Sequence, residues 1–203
     1  MEIERKFIVF EESFDSIESR LSALGFRPDG HRRQIDEYFL PRGMDPAKHT
    51  HFMIKGEMAY LRLRRDAENE TASLDLKTVN KERKGVFGEY ECRLAGADSL
   101  GMAAKILDML GFRKAHVIDK SRKSFKLGEV SVDMDEVRGL GRFVEVEIID
   151  DMPGADRALA RVDDLSAKLG LDPGNLMKTG YVDLMAAKLG GIGDWWTVEN
   201  GGA

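Results

Sequence analysis

The sequence predicts an α+β protein: a β-barrel with a charged interior and helices packed on its outer face. Three observations carry that expectation. Seven separate stretches alternate apolar and charged residues at a period of two, the pattern of strands whose two faces differ. Amphipathic helical segments lie between these strands and must bury their apolar stripes, and only the apolar strand faces are long enough to receive them. The charged faces also segregate by sign from strand to strand, whereas a solvated face tends to mix signs.

The elements follow in order. MEIERKF sets Glu2, Glu4 and Lys6 on one face, with Ile3, Arg5 and Phe7 between them. In SFDSIESRLSALGF, Phe14, Ile17, Leu21 and Leu24 recur at helical steps and Gly25 ends the run. AYLRLRR alternates Leu61 and Leu63 with Arg62 and Arg64, and SLDLKT alternates Leu74 and Leu76 with Asp75 and Lys77. GEYECRL places Glu89, Glu91 and Arg93 opposite Tyr90, Cys92 and Leu94. A second helix, SLGMAAKILDMLGF, is expected to bury a stripe of Met102, Ile106, Leu107 and Leu110, with Gly111 as its stop. KSRKSF then carries Lys120 and Arg122, VSVDMDEV carries Asp133 and Asp135, and FVEVEI sets Glu145 and Glu147 against Val144, Val146 and Ile148. Helices are expected again at ADRALARVDDLSAKLG and TGYVDLMAAKLG. ALGFR at 23–27 and MLGFR at 109–113 each close a helix and open a strand, which suggests two halves of similar plan; chance recurrence is the alternative. One domain is expected over 1–189, with 190–203 a glycine-rich tail whose Trp195 and Trp196 dock on the body or on a partner.

Composition narrows the function. At 203 residues the chain suits one large domain. The 31 basic and 36 acidic residues leave a formal charge of −5, which does not favour nucleic acid or a membrane surface, since both select a basic excess. The single Cys92 excludes an internal disulfide and a multi-cysteine metal site, and reads as plain strand packing. No apolar run approaches the ~20 residues of a membrane span, and the acidic N-terminus lacks the shape of a signal peptide. A soluble cytoplasmic protein is the expectation.

A charged barrel interior is costly, because removing an ion from water costs several kcal/mol even after relaxation. Such a lining suits a ligand that itself carries both signs, and a metal–polyphosphate complex does. Glu2 and Glu4 have α-carbons about 6.6–7 Å apart on one face, so their carboxylates can converge on a cation. Glu145 with Glu147 and Asp133 with Asp135 repeat the spacing. Oxygen-only donors suit Mg²⁺ or Mn²⁺ and not zinc. Lys6, Arg62, Arg64, Lys77, Lys120 and Arg122 would then face phosphate oxygens, arginine as a planar fork and lysine as a point charge.

Glu2-Ile3-Glu4-Arg5-Lys6 resembles the ExExK signature of the CYTH superfamily, the triphosphate tunnel metalloenzymes, which include class IV adenylate cyclases, thiamine triphosphatases and inorganic triphosphatases. The resemblance continues in order through Asp36-Glu37-Tyr38-Phe39, Leu61-Arg62-Leu63-Arg64, Leu76-Lys77, Glu89-Tyr90-Glu91, Lys120-Ser121-Arg122, Asp133-Met134-Asp135 and Glu145-Val146-Glu147, over roughly residues 1 to 185. It implies an eight-stranded antiparallel tunnel with flanking helices. It implies Glu2, Glu4, Asp133, Glu145 and Glu147 as the metal set, and the basic residues as the triphosphate clamp. Lys77 resembles a lysine placed near the hydrolytic water, and Tyr38 a tyrosine that partners it. Lys178 and Tyr181 resemble a C-terminal helical plug that reaches the tunnel. A packed strand aromatic is the alternative for Tyr38, and a solvated helical lysine for Lys178.

Two reactions fit such a site. Terminal phosphate hydrolysis is favoured; attack of a ribose 3′-hydroxyl on the α-phosphorus of ATP, releasing pyrophosphate, is the runner-up. Gln34-x-Asp36-x-Tyr38-Phe39-x-Pro41 resembles the CyaB-type branch, but Leu40 replaces the aspartate common after Tyr-Phe, and His49 and His51 do not reproduce the His-Phe-x-His-Pro pattern of bacterial class IV cyclases. The long connection at 41–60 reads as a lid or base-binding loop. A polyphosphate- or nucleotide-binding module without turnover is the third reading. The expected partner is a small triphosphate, with pairing of two chains left open.

Overall fold

The computed structural model describes residues 2–68, 71–79, 86–95, 97–149 and 155–190. The elements are β1 (Glu2–Val9), α1 (Glu11–Ala23), β2 (Arg27–Pro41), β3 (Phe52–Ile54), β4 (Glu57–Asp66), β5 (Ala72–Val79), β6 (Val86–Leu94), α2 (Ala97–Met109), β7 (Phe112–Leu127), β8 (Val130–Val137), β9 (Gly141–Ile149), α3 (Ala155–Lys168), β10 (Leu176–Met177) and α4 (Tyr181–Leu189). Strand order is β10-β1-β6-β5-β4-β2-β7-β8-β9. β1 also pairs with β9, from Glu2 opposite Ile149 to Val9 opposite Arg142, and meets β6 through Glu2 opposite Phe87 and Ile3 opposite Val86. The antiparallel sheet thus curls round on itself into a tunnel, with a two-residue seam between β1 and β6. Eight strands make the wall, as expected. The total is ten, because β3 forms a hairpin with β4 and β10 adds a two-residue pairing to β1.

The repeated Leu-Gly-Phe has a structural counterpart. α1 and α2 each end at a glycine in the left-handed region, Gly25 at φ 88° and Gly111 at φ 86°, the conformation a helix C-terminus favours and side chains resist. Each glycine leads into a long strand, and β2 and β7 then pair from Arg27 opposite Lys126 to Pro41 opposite Phe112.

Apolar strand faces point outward to the helices. Ile3 and Phe7 of β1, Val132 and Met134 of β8 and Val144, Val146 and Ile148 of β9 pack with Ile17 and Leu21 of α1 and Ala158 and Val162 of α3. Each of these side chains other than Ala158 contributes about 1.5–3 kcal/mol by leaving water. Phe39 and Leu63 pack with Ala103 and Leu107 of α2.

Two expectations about packing are corrected. α2 buries Ala103 and Leu107, with Leu100 and Ala104 partly covered, while Met102, Ile106 and Leu110 of the expected stripe are exposed. The residues at i, i+3, i+4 and i+7 from Leu100 include two alanines, whose small side chains let the helix sit close on the sheet, and this outweighs the larger residues one step round. Cys92 is an exposed free thiol and its neighbour Tyr90 is exposed too, because that face of β6 is left uncovered rather than packed. The segment 190–203, with Trp195 and Trp196, lies outside the described residues except for Gly190. No helix among the described residues is long and apolar enough to cross a membrane.

Candidate active site: a tunnel of paired charges

Alternation places one residue in two of every wall strand inside the tunnel, and the register decides which charges meet. On the β1–β9–β8 wall, Glu4 lies opposite Glu147, Lys6 opposite Glu145, and Asp133 opposite Glu145. On the β2–β4–β5 wall, Asp36 lies opposite Arg64, Tyr38 opposite Arg62, and Arg62 opposite Asp75.

The side chains then pair. Lys6 Nζ is 3.0 Å from Glu145 and 3.9 Å from Glu4, and Lys77 Nζ donates to Glu4 Oε2 at 3.1 Å. Arg64 donates through Nε and Nη2 to the two oxygens of Asp36, both at 2.7 Å, the planar fork-to-carboxylate match. Arg62 donates to Asp75 at 2.7 Å and Glu89 at 2.8 Å. Arg122 is the hub: it donates to Asp135 at 2.6 and 2.5 Å, to Asp133 at 2.5 Å, and to Glu145. Lys120 adds a bond to Asp135 at 3.1 Å.

One end of the tunnel is apolar and stoppered. Ile8, Tyr38, Ile118, Val137 and Phe143 meet Tyr181, Val182 and Leu184 of α4. The Tyr181 hydroxyl donates to Asp135 at 2.9 Å, and the Lys6 ammonium sits 4.2 Å from the Tyr181 ring centroid. Asp183 of α4 accepts from Tyr60 at 2.9 Å and from Thr50, so the 42–51 loop and the plug are tied together.

These contacts set protonation. Burial pushes the Glu145 carboxyl up, but Lys6, Arg122 and Lys120 overcome it and hold Glu145 well below the usual range. Asp36 is likewise pushed up by burial and held well below its ordinary value by Arg64 and Arg62. Burial and the adjacent Arg122 lower Lys120 to about 8. Burial and Asp36 raise Tyr38, so at neutral pH it is a phenol, able to donate a hydrogen bond but not to take a proton as a phenolate.

Of the residues expected in the site, Glu4, Lys6, Arg62, Arg64, Lys77, Lys120, Arg122, Asp133, Asp135, Glu145 and Tyr181 come together in this network. Glu147 faces Glu4 across β1 and β9. Glu2 is placed by its backbone, and its side chain lies outside what the structure describes. Glu91 and Arg93 pair at the exposed rim at 3.1 Å. Lys178 is exposed between β10 and α4. The register sets Tyr60, not Tyr38, opposite Lys77. Asp36, Asp75 and Asp183 were not expected as site residues. Asp36 and Asp75 share the alternating face of Tyr38 and Lys77, which was a usable signal, but nothing in the sequence marks Asp183.

The carboxylates fit a hard divalent cation by chemistry. Among the described residues no three carboxylates, histidines or cysteines already converge as a cage. Glu4, Glu147, Glu145 and Asp133 nonetheless occupy neighbouring positions on three adjacent strands, an all-oxygen set suited to Mg²⁺ or Mn²⁺.

A curled antiparallel tunnel lined by matched carboxylates and guanidinium or ammonium groups defines a class of protein that handles polyanions. The CYTH domain family model matches residues 1–181, and the chain belongs to that family, whose members act on triphosphates. A Methanocaldococcus jannaschii protein provisionally named an adenylate cyclase is 25% identical over 185 residues, covering 91% of this chain and 98% of that one. Adenylate cyclase CyaB of Aeromonas hydrophila is 30% identical over 103 residues, 48% of this chain and 52% of the relative. The PH1012 protein of Pyrococcus horikoshii has a similar structure, with a TM-score of 0.73 and 24% identity over 90% of this chain and 98% of its own. HpAC1 from Hippeastrum, described as having a dominant triphosphatase activity, aligns with a TM-score of 0.61 and 18% identity over 94% of this chain and 96% of its own.

Proposed function

We propose that this protein is a divalent-metal-dependent phosphohydrolase that removes the terminal phosphate of a small triphosphate. The observation that carries the reading is the pairing of Glu4, Glu145, Asp133 and Asp135 with Lys6, Lys77, Lys120 and Arg122 inside one tunnel. Such a near-neutral interior takes up a polyanion only together with further positive charge. Each pair is matched to a metal–phosphate pair: the carboxylate turns to a cation while its lysine or arginine turns to a phosphate oxygen.

Glu4, Asp133, Glu145 and Glu147, with Glu2, would hold Mg²⁺ or Mn²⁺, which when bound neutralises phosphate charge and acidifies a water. Arg62, Arg64 and Arg122 would grip two oxygens each, with Lys6, Lys77 and Lys120 as point charges, so the chain's task is alignment and charge neutralisation. Lys77, held by Glu4, is the side chain assigned beside the attacking water. The Tyr181 plug excludes water from the apolar end and keeps Asp135 oriented toward Arg122 and Lys120.

The named relatives favour cyclisation of ATP as the second reading, and a binding module without turnover is the third. Product analysis separates the three. The protein is incubated with tripolyphosphate, ATP or thiamine triphosphate in Mg²⁺ or Mn²⁺, beside a Glu4→Gln control. Phosphate release that disappears in the control is the expected result. Cyclic AMP with pyrophosphate would establish the cyclase, and metal-dependent binding without product would establish the module.

A further inference from the structure

Arg64, Arg122 and Arg62 each have an aspartate directly opposite on the neighbouring strand: Asp36, Asp135 and Asp75 in turn. All three aspartates are deeply buried, at 2%, 0% and 1% exposure. Asp36 accepts from both Nε and Nη2 of Arg64, at 2.7 Å each, and Asp135 accepts from both Nε and Nη2 of Arg122, at 2.6 and 2.5 Å. A guanidinium held along that edge keeps its other edge, Nη1 with the second hydrogen of Nη2, for the tunnel. In Arg122 this second edge meets Asp133 and Glu145.

Asp75 departs from the pattern. Its Oδ2 accepts from Arg62 Nε at 2.7 Å, but its Oδ1 is buried without a hydrogen bond. Both atoms are carboxylate oxygens, so the unfilled acceptor is the same whichever way the group is turned. The donor that would complete the grip, Arg62 Nη2, is bonded instead to Glu89 at 2.8 Å. Glu89 is the less buried partner, its side chain 28% exposed against 1% for Asp75. Arg62 Nη1 lies 3.8 Å from Asp36, whose two oxygens are already taken by Arg64. A buried acceptor without a partner is unfavourable, so Asp75 offers Nη2 a place to go when Glu89 lets go.

We propose that Asp75 is the positioning residue of Arg62, and that Glu89 only holds the place of a phosphate group in the empty tunnel. This rests on the reading of the tunnel as a triphosphate site. An arriving phosphate displaces Glu89, Nη2 completes the edge-on grip with Asp75, and the other edge of Arg62 forks two phosphate oxygens. Asp75 acts through Arg62 and does not touch the substrate.

The test is the calorimetric Kd of tripolyphosphate and of ATP, each with Mg²⁺, for the wild type, Asp75→Asn and Glu89→Gln. Each substitution removes one negative charge, so charge alone would make both variants bind the anions more tightly. Positioning gives opposite signs: Asp75→Asn weakens binding about tenfold, and Glu89→Gln tightens it severalfold by freeing Nη2. Asp75→Asn is then repeated in an Arg62→Lys background, where it should change Kd by less than twofold, because lysine has no edge to be held. Melting temperatures check the fold, and Asp75→Ser replaces the asparagine variant if that one does not fold. Tighter binding by both variants, weaker binding by both, or the full tenfold loss in the Arg62→Lys background overturns the positioning role while leaving the triphosphate site standing. A wild type that binds neither compound overturns both readings.

Discussion

The Tyr181 hydroxyl donates to Asp135 Oδ2 at 2.9 Å, joining the C-terminal helix to the most deeply buried carboxylate of the tunnel, which is 0% exposed. Asp135 also accepts from Arg122 and Lys120, so one carboxylate fastens the plug, the β7 cations and β8 together. Burial, reinforced by Asp135, raises the Tyr181 pKa well above its ordinary value, so the phenol remains a donor at working pH. Tyr181→Phe keeps the ring that lies under the Lys6 ammonium and removes only this bond. The expected cost is about 1.5–3 kcal/mol in urea unfolding, the range for a hydrogen bond to a charged group. An unchanged midpoint would mean that the hydroxyl does not hold the plug.

Arg122 offsets Asp133, Asp135 and Glu145 at once. Arg122→Met leaves three carboxylates crowded in a partly dry tunnel, and a loss of about 3–5 kcal/mol at pH 7 is expected. The carboxyls of Asp135 and Glu145, which Arg122 helps to hold below their ordinary values, then move up, so part of the loss should be recovered on acidification to pH 5. A variant as stable as wild type at pH 7 would show that water already screens the cluster.

Asp36 gives a pH dependence with a definite sign. Its folded pKa lies below the unfolded value of about 3.9, so its contribution is present above that pH and is lost as pH falls. Asp36→Asn should be less stable than wild type at pH 7, and the gap should narrow by about 1 kcal/mol at pH 3. Chemical denaturation at the two pH values reads it; a gap independent of pH would sink the assignment of the Arg64 pair as the source of stability.

The loop at 42–51 is pinned by Thr50 to Asp183, which also accepts from Tyr60 of β4, and His116 contacts the His49 carbonyl at 3.0 Å. Asp183→Ala removes the link between this loop and α4. Tryptic cleavage after the exposed Lys48 should accelerate severalfold at a temperature where both proteins remain folded. Equal cleavage rates would assign the loop's order to its other contacts.

Much of the tunnel is legible in the sequence, because a period of two assigns each strand residue to one face with no tertiary information. Lys6, Arg62, Lys77, Arg122, Asp133 and Glu145 all follow from that rule, and the helices' need for an apolar surface turned those faces inward. The face of α2 was misread because periodicity fixes a stripe's spacing and not which of two neighbouring stripes packs; Ala103 and Ala104 won by their small size. Cys92 was misread because alternation marks a strand's apolar face without saying whether anything covers it.

Taken alone, the sequence determined the alternation, the helix stops at Gly25 and Gly111, the sign of each strand's charge and the resemblance to the CYTH family. Pairing partners were decided only by the tertiary structure, since they depend on strand register and on the curl of the sheet. Glu4 with Lys77, Arg122 with three carboxylates and Asp183 with Thr50 and Tyr60 join residues 73, 11 to 23 and 133 or 123 positions apart. The fold alone likewise decides that atoms of Arg32, Gln34 and Asp75 are buried without a hydrogen-bond partner, because a missing partner is a property of the folded surroundings and leaves no trace in the order of residues.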